Sequence, residues 1–99
     1  ELAAADVVER DLALIKVKAD HTQRALVVQA AELFAARVVD VAPTELTIEI
    51  AAPRQRIDDL RAVLEPFGVI AMVRTGAVAM ARAGVGAAVP QPPRAASGA

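Results

Sequence analysis

Apolar and polar residues alternate from Asp11 to Ala19. Ala13, Ile15, Val17 and Ala19 share one face, and Leu12, Leu14, Lys16 and Lys18 share the other. A period of two predicts a β-strand, here with an opposite face that is only half polar. Between Gln23 and Ala36 the period lengthens. Leu26, Ala30, Leu33 and Phe34 recur at spacings of three and four, with Arg24, Gln29 and Glu32 turned outward, which predicts an amphipathic helix. Asp20 or Thr22 stands where a side-chain cap belongs. Arg37 to Val41 is a β-branched strand, and Pro43-Thr44 signals a turn. Glu45 to Ala51 alternates again, Leu46, Ile48 and Ile50 facing inward and Thr47 and Glu49 facing water. So short a connection makes these two strands an antiparallel hairpin. Pro53 opens a second helix with a stripe of Ile57, Leu60 and Leu64. Asp58 and Asp59 fall early in it, where the helix dipole favours acids. Pro66 stops the helix, Gly68 turns the chain, and Val69 to Thr75 is the last main strand. Ala77 to Arg82 extends that strand after Gly76.

The resulting order, β-α-β-β-α-β, is the split βαβ or ferredoxin-like pattern. It predicts an α+β two-layer sandwich, with a four-stranded antiparallel sheet and two helices on one face. Residues 1–8 read as a linker and residues 9–82 as the folded domain. Residues 83–99, AGVGAAVPQPPRAASGA, read as a disordered tail, because three Gly, three Pro and one charge leave nothing to bury. The second face of the sheet is left bare. Leu12, Leu14, Val39 and Val41 are expected there, and an apolar open face on so small a domain implies a partner or a second copy.

Composition narrows the classes. Of 99 residues, 56% are hydrophobic, but 24 of those are Ala; what remains suffices for one small core. Eleven basic residues against twelve acidic leave a net charge of −1, so no field of one sign attracts nucleic acid or an anionic membrane. Phe34 and Phe67 are the only aromatics, too few to stack bases. No stretch approaches the roughly 20 apolar residues of a membrane span, and the first residues lack a signal-peptide pattern. Cysteine is absent, which fits a cytoplasmic protein and removes disulfides and thiolate chemistry. The chain opens on Glu1, as a fragment or processed product would.

Catalytic chemistry finds no footing. Ser97 is the one serine and lies in the tail; Thr22, Thr44, Thr47 and Thr75 have no base beside them in sequence. His21 is the sole histidine and reads as a surface residue near a helix cap. One histidine without cysteine makes no zinc, nickel or copper site, and a metal-sensing role falls with it. Asp58-Asp59 is not a clamp, since adjacent helical positions diverge by about 100°. Gly84-Val85-Gly86 has no strand or helix around it to cradle phosphate. Arg54, Arg56 and Arg61 cluster at the start of the second helix, but the two aspartates offset them. Lys16 and Lys18 stand out, because on the open face they can snorkel around an apolar contact or pair with acids of a partner. Arg74, late in the last strand, is similar. Leu12, Leu14, Lys16, Lys18 and Arg74 are therefore the candidate interface residues, and no catalytic, cofactor-binding or metal residue is assigned.

Three segments carry a family likeness. Glu9-Arg10-Asp11-Leu12-Ala13-Leu14-Ile15-Lys16-Val17 resembles the RELALIKV opening of the C-terminal domain of the acetolactate synthase small (regulatory) subunit. LFAARVVDVAPTELTIEI, Leu33 to Ile50, resembles that family's F-x-A-x-V-V-D-V-S-P-x-S-L-T-V-E stretch. Pro66-Phe67-Gly68-Val69, Arg74-Thr75-Gly76 and Ala79-Met80-Ala81-Arg82 resemble its PFGI, ARTG and ALAR segments. The segments keep order and spacing across residues 9–82. Ala42 and Glu45 stand where the family has Ser, both in a turn, and the family's N-terminal ACT domain is missing. The resemblance implies a regulatory subunit fragment in branched-chain amino-acid biosynthesis, non-catalytic by itself. It would form a homodimer and support activation and feedback inhibition of a catalytic large subunit. Thiamine diphosphate, magnesium and FAD would belong to that large subunit, and the effector site to the ACT domain. The competing expectation is a stand-alone ACT-like module binding a small ligand. It is weakened by Asp20-His21-Thr22, which replaces the Gly-bearing turn such sites use.

Overall fold

The computed structural model describes residues 6–85. Most of the expected linker, and the expected tail from residue 86 onward, lie outside the described residues. Five strands and two helices follow in the order β1 (Val7–Lys18), α1 (Arg24–Leu33), β2 (Arg37–Val41), β3 (Glu45–Ala52), α2 (Arg54–Leu64), β4 (Val69–Arg74) and β5 (Val78–Ala81). A single 3-10 turn, Glu65–Phe67, joins α2 to β4. The spatial order is β2-β3-β1-β4, all antiparallel, with β5 also paired to β1. This is the ferredoxin-like arrangement that the element order predicts.

Strand β1 is the spine. It pairs with β3 from Asp11 to Lys18, with β4 from Ala13 to Val17 and with β5 from Val7 to Arg10. It thus begins at Val7, inside the segment read as linker. The segment after Gly76 does continue the last strand: β4 and β5 run end to end along one flank of β1, interrupted at residues 75–77.

The core lies between the sheet and the helices. Ile15, Val17, Leu46, Ile48 and Ile50 meet Val27, Ile57, Leu60 and Leu64, all essentially inaccessible. The stripes predicted for β1, β3 and α2 are the stripes observed. Helix α1 differs. Its buried residues are Val27, Ala30 and Ala31, with Phe34 packed at the margin, whereas Leu26 and Leu33 are 54% and 77% exposed. The cause is Arg24. Its guanidinium turns inward, and Nη2 donates to the carbonyl oxygens of Ala42 at 2.7 Å and Pro43 at 2.9 Å, clamping the β2–β3 turn. Arg24, Val27 and Ala31 lie at i, i+3 and i+7, so holding Arg24 at this turn keeps that stripe inward. Small side chains at 30 and 31 let the helix approach the sheet closely.

Element ends follow local chemistry. Asp20 Oδ1 accepts from Thr22 N–H, Thr22 Oγ1 and Gln23 N–H at 2.9, 2.6 and 3.1 Å, closing the turn that leads into α1. Helix α1 ends with Ala35 at φ +57° and with Ala36 N–H donating to Ala31 O at 2.9 Å. That is a Schellman termination with alanine where glycine is usual. Pro53 precedes α2 as its N-cap. No acid occupies the first turn of α2, so Asp58 and Asp59 sit too far along to serve its dipole. Gly68 has φ +106°, and a Cβ there would stand 3.1 Å from Lys18 Cδ, so both backbone and space favour glycine.

Ala35→Gly is expected to stabilise the domain by about 0.5–1 kcal/mol, because Ala pays for the left-handed conformation and Gly does not. A chemical-denaturation midpoint that fell, with unchanged slope, would contradict this account of the α1 terminus.

Candidate functional site

Cross-strand register assembles the open face row by row. Arg37, Glu49, Leu14 and Val73 form one row, and Asp40, Thr47, Lys16 and Ala71 the next. Lys18 stands opposite Glu45, and Leu12 opposite Ala51. Arg37 Nε donates to Glu49 Oε1 at 2.9 Å at the β2 edge. Positive Arg37, Lys16 and Lys18 balance negative Asp40, Glu45 and Glu49. Between them Leu14 and Val73 are 37% and 61% exposed. A shallow hollow of about 230 Å³ opens here, lined by Leu14, Lys16, Thr47, Ala71, Met72 and Val73.

The face thus gathers Leu12, Leu14, Lys16 and Lys18, and Val39 lies in a bulge of β2 beside it. Val41 does not join them. Two residues, Val39 and Asp40, fit where one belongs, and this bulge flips the remainder of β2. Val41 pairs with buried Leu46 and so points to the helix side, exposed at the sheet margin.

Arg74 also parts from the group. It pairs with Ala13 on the helix side, and its side chain is only 25% exposed. Nε and Nη2 donate to Asp11 Oδ2 at 3.3 and 3.2 Å, and Nη1 donates to Asp58 Oδ1 at 3.2 Å. Asp11 is the buried acid of the described residues, 5% exposed. Its Oδ1 accepts from Gly76 N–H at 3.0 Å and from Thr75 Oγ1 at 3.3 Å. One carboxylate therefore gathers all of Arg74-Thr75-Gly76 at the gap between β4 and β5. Burial pushes its pKa up. The Arg74 and Gly76 hydrogen bonds, the Arg74 charge and the Thr75 hydroxyl outweigh that and hold it below the ordinary carboxylate value. Sequence reasoning missed Asp11, although a signal existed: it shares the parity of Ala13, Ile15 and Val17, an acid on the apolar side of a strand.

A larger cleft of about 370 Å³ lies at the end of the sheet, between Lys18, Asp20, Gln23, Thr44, Glu45, Phe67 and Ile70. Asp20 is occupied there as a turn-closing acceptor, and hydrogen bonds from Thr22 hold its pKa down. His21 is exposed. The arginines of α2 are dispersed rather than convergent. Arg56 caps α1 through Leu33 O at 3.1 Å and lies 5.0 Å over the Phe34 ring, and Arg61 pairs with Glu65. Among the described residues no cluster of three His, Cys, Asp or Glu could hold a metal ion. The open face sets Leu12 and Leu14 beside Lys16 and Lys18.

Comparison with known proteins agrees in one direction. Residues 10–83 match the family model described as the small subunit of acetolactate synthase. The acetolactate synthase small subunit of Mycolicibacterium smegmatis is 45% identical over 83 residues, covering 82% of this chain and 49% of that protein. The one from Aquifex aeolicus is 45% identical over 76 residues, covering 76% and 40%. The crystal structure of the Thermotoga maritima acetolactate synthase small subunit superposes with a TM-score of 0.75 at 33% identity, covering 86% of this chain and 52% of that one. The chain spans about half the length of the curated relatives it matches.

Asp11→Asn is expected to lower the denaturation midpoint at neutral pH and to flatten the acid limb of the stability curve. The sign follows from linkage. A depressed folded-state pKa adds stability that is complete above the unfolded value of about 3.8 and lost as pH falls through the folded value. Asp20 contributes a residual limb of the same sign. Identical acid limbs for wild type and variant would remove Asp11 as the junction.

Proposed function

The chain belongs to the acetolactate synthase small-subunit family as its C-terminal domain, and from that premise we propose that it works as one half of a regulatory subunit in branched-chain amino-acid biosynthesis. The observation that carries this reading is the family match across residues 10–83. In the proposal the domain associates with itself and with a catalytic large subunit in the cytoplasm. Leu12, Leu14, Lys16 and Lys18 supply the contact; Arg74 positions β4 from beneath rather than touching a partner. Thiamine diphosphate, magnesium and FAD reside in the large subunit, and the feedback effector is bound by an ACT domain in the other half of the regulatory subunit. No helix among the described residues is long and apolar enough to cross a membrane.

The face suits such a role physically. Its apolar strip is small and ringed by charges of both signs, so contact excludes water from Leu12 and Leu14 while the lysines fix register and partner choice. The stand-alone ligand-binding module has less behind it, since the relatives are small subunits of an enzyme and the turn after β1 spends Asp20 on its own backbone.

The test is acetolactate formation by a cognate catalytic subunit, with and without this chain, and with and without valine. This chain alone should neither raise the rate nor confer valine inhibition, whereas a version joined to an ACT domain should do both. Rate enhancement or valine sensitivity with this chain alone would overturn the division of labour. In the longer version, Leu12→Asp with Leu14→Asp is expected to weaken association by about 30-fold or more, as loss of interface anchors does. Unchanged oligomer mass and unchanged activation would remove the open face from the contact.

A further inference from the structure

The two edges of the sheet are built differently. The β2 edge carries Arg37, Asp40 and a bulge, devices that keep a strand from pairing with a stranger. The other edge, β4 followed by β5, has a bulge only in β4, at Ile70, and β5 has none of these devices. Its sequence is VIAMVR and then VAMA, with no proline. Its one charge within the strands, Arg74, is folded under the sheet onto Asp11 and Asp58.

Strand β5 is also poorly supported. It pairs with Val7–Arg10, beyond the point where β3 stops at the Asp11–Ala52 pair. Among the described residues that leaves a ribbon two strands wide, and none of its eight residues is buried. Val78 is 68% and Met80 59% exposed. A two-stranded ribbon is marginal in water and gains independent stability from a third strand. The β1 side of the ribbon offers Glu9 and Arg10, which discourage pairing; the β5 side offers only apolar side chains.

We propose that β5 pairs antiparallel with β5 of a second copy about a two-fold axis, making a four-stranded ribbon β1-β5-β5-β1. The open groups are backbone N–H and C=O, so the occupant is an extended strand. An uncharged edge accepts an uncharged strand, and β5 meets that condition against itself. Two-fold pairing serves both ribbons with one closed contact. With Ala79 opposite Ala79 of the copy, Val78 meets Met80 and Arg82 falls opposite Gly76, so like charges do not meet. This inference rests on the self-association proposed above and names the edge that mediates it.

The absence of cysteine makes the test direct. Single-cysteine variants of the whole chain at each position from Val78 to Ala81 are oxidised mildly, beside controls at Val39 and Thr47. A disulfide-linked dimer is expected from the cysteine at position 79, which faces its own copy across the two-fold axis, and from neither control. Ala79→Lys, whose new charge faces Glu9 within the chain, should weaken dimerisation by about tenfold or more in sedimentation equilibrium while leaving the denaturation midpoint in place. A dimer that survives Ala79→Lys and cross-links only at Thr47 overturns the edge and leaves self-association through the open face standing. A wild-type chain that stays monomeric at high micromolar concentration overturns both. Should Ala79→Lys fail to fold, the cysteine scan alone decides.

Discussion

The carboxylate of Asp11 sits where β1 changes partners on both flanks. On one side, pairing with β3 ends at Asp11; on the other, β4 gives way to β5. A buried charge is costly unless every lone pair is used, and here Arg74, Thr75 and Gly76 use them. The same arginine reaches Asp58 on α2, so one network joins the first strand, the last strands and the second helix. Thr75 reinforces it from the backbone side, donating N–H to Leu12 O at 2.9 Å. Placement of the open face depends on this junction, because Leu12 and Leu14 project opposite to the side it anchors.

The junction joins the first and last of the segments that carry the family likeness, with Asp11 standing where the quoted opening has Glu. Asp11 lies in the first such segment and Arg74-Thr75-Gly76 in the last, more than 60 positions apart in the chain. They touch in space, and each is without purpose alone: a carboxylate on the apolar side of a strand needs donors, and an arginine beneath a sheet needs acids. The middle segment meets a parallel demand. Its turn carbonyls at Ala42 and Pro43 are held by Arg24, which lies outside all the quoted segments.

The division between chemistry and association follows from the same economy. Polar groups with depressed pKa values, Asp11 and Asp20, are consumed by closing turns and gaps. Asp11 lines neither cleft, and Asp20, beside Glu45 in the cleft at the end of the sheet, spends Oδ1 on Thr22 and Gln23. Exposed apolar surface includes the Leu14–Val73 row and the β5 edge. The regulatory role proposed above calls for surfaces of that kind.

Sequence alone determined the element order, the core stripes of β1, β3 and α2, and the identity of Leu12, Leu14, Lys16 and Lys18 as one face. Period-two and period-3.6 patterns encode these locally, since each residue's side of its element follows from its neighbours. Tertiary structure decided the rest. Helix α1 carries two overlapping apolar stripes, and only the reach of Arg24 to the β2–β3 turn selected Val27 and Ala31 over Leu26 and Leu33. One extra residue at Val39 reversed Val41, because a bulge changes parity without changing composition. Arg74 lies off the open face because β4 pairs it with Ala13 on the helix side, beside Asp11, a register visible only once β4 lies beside β1.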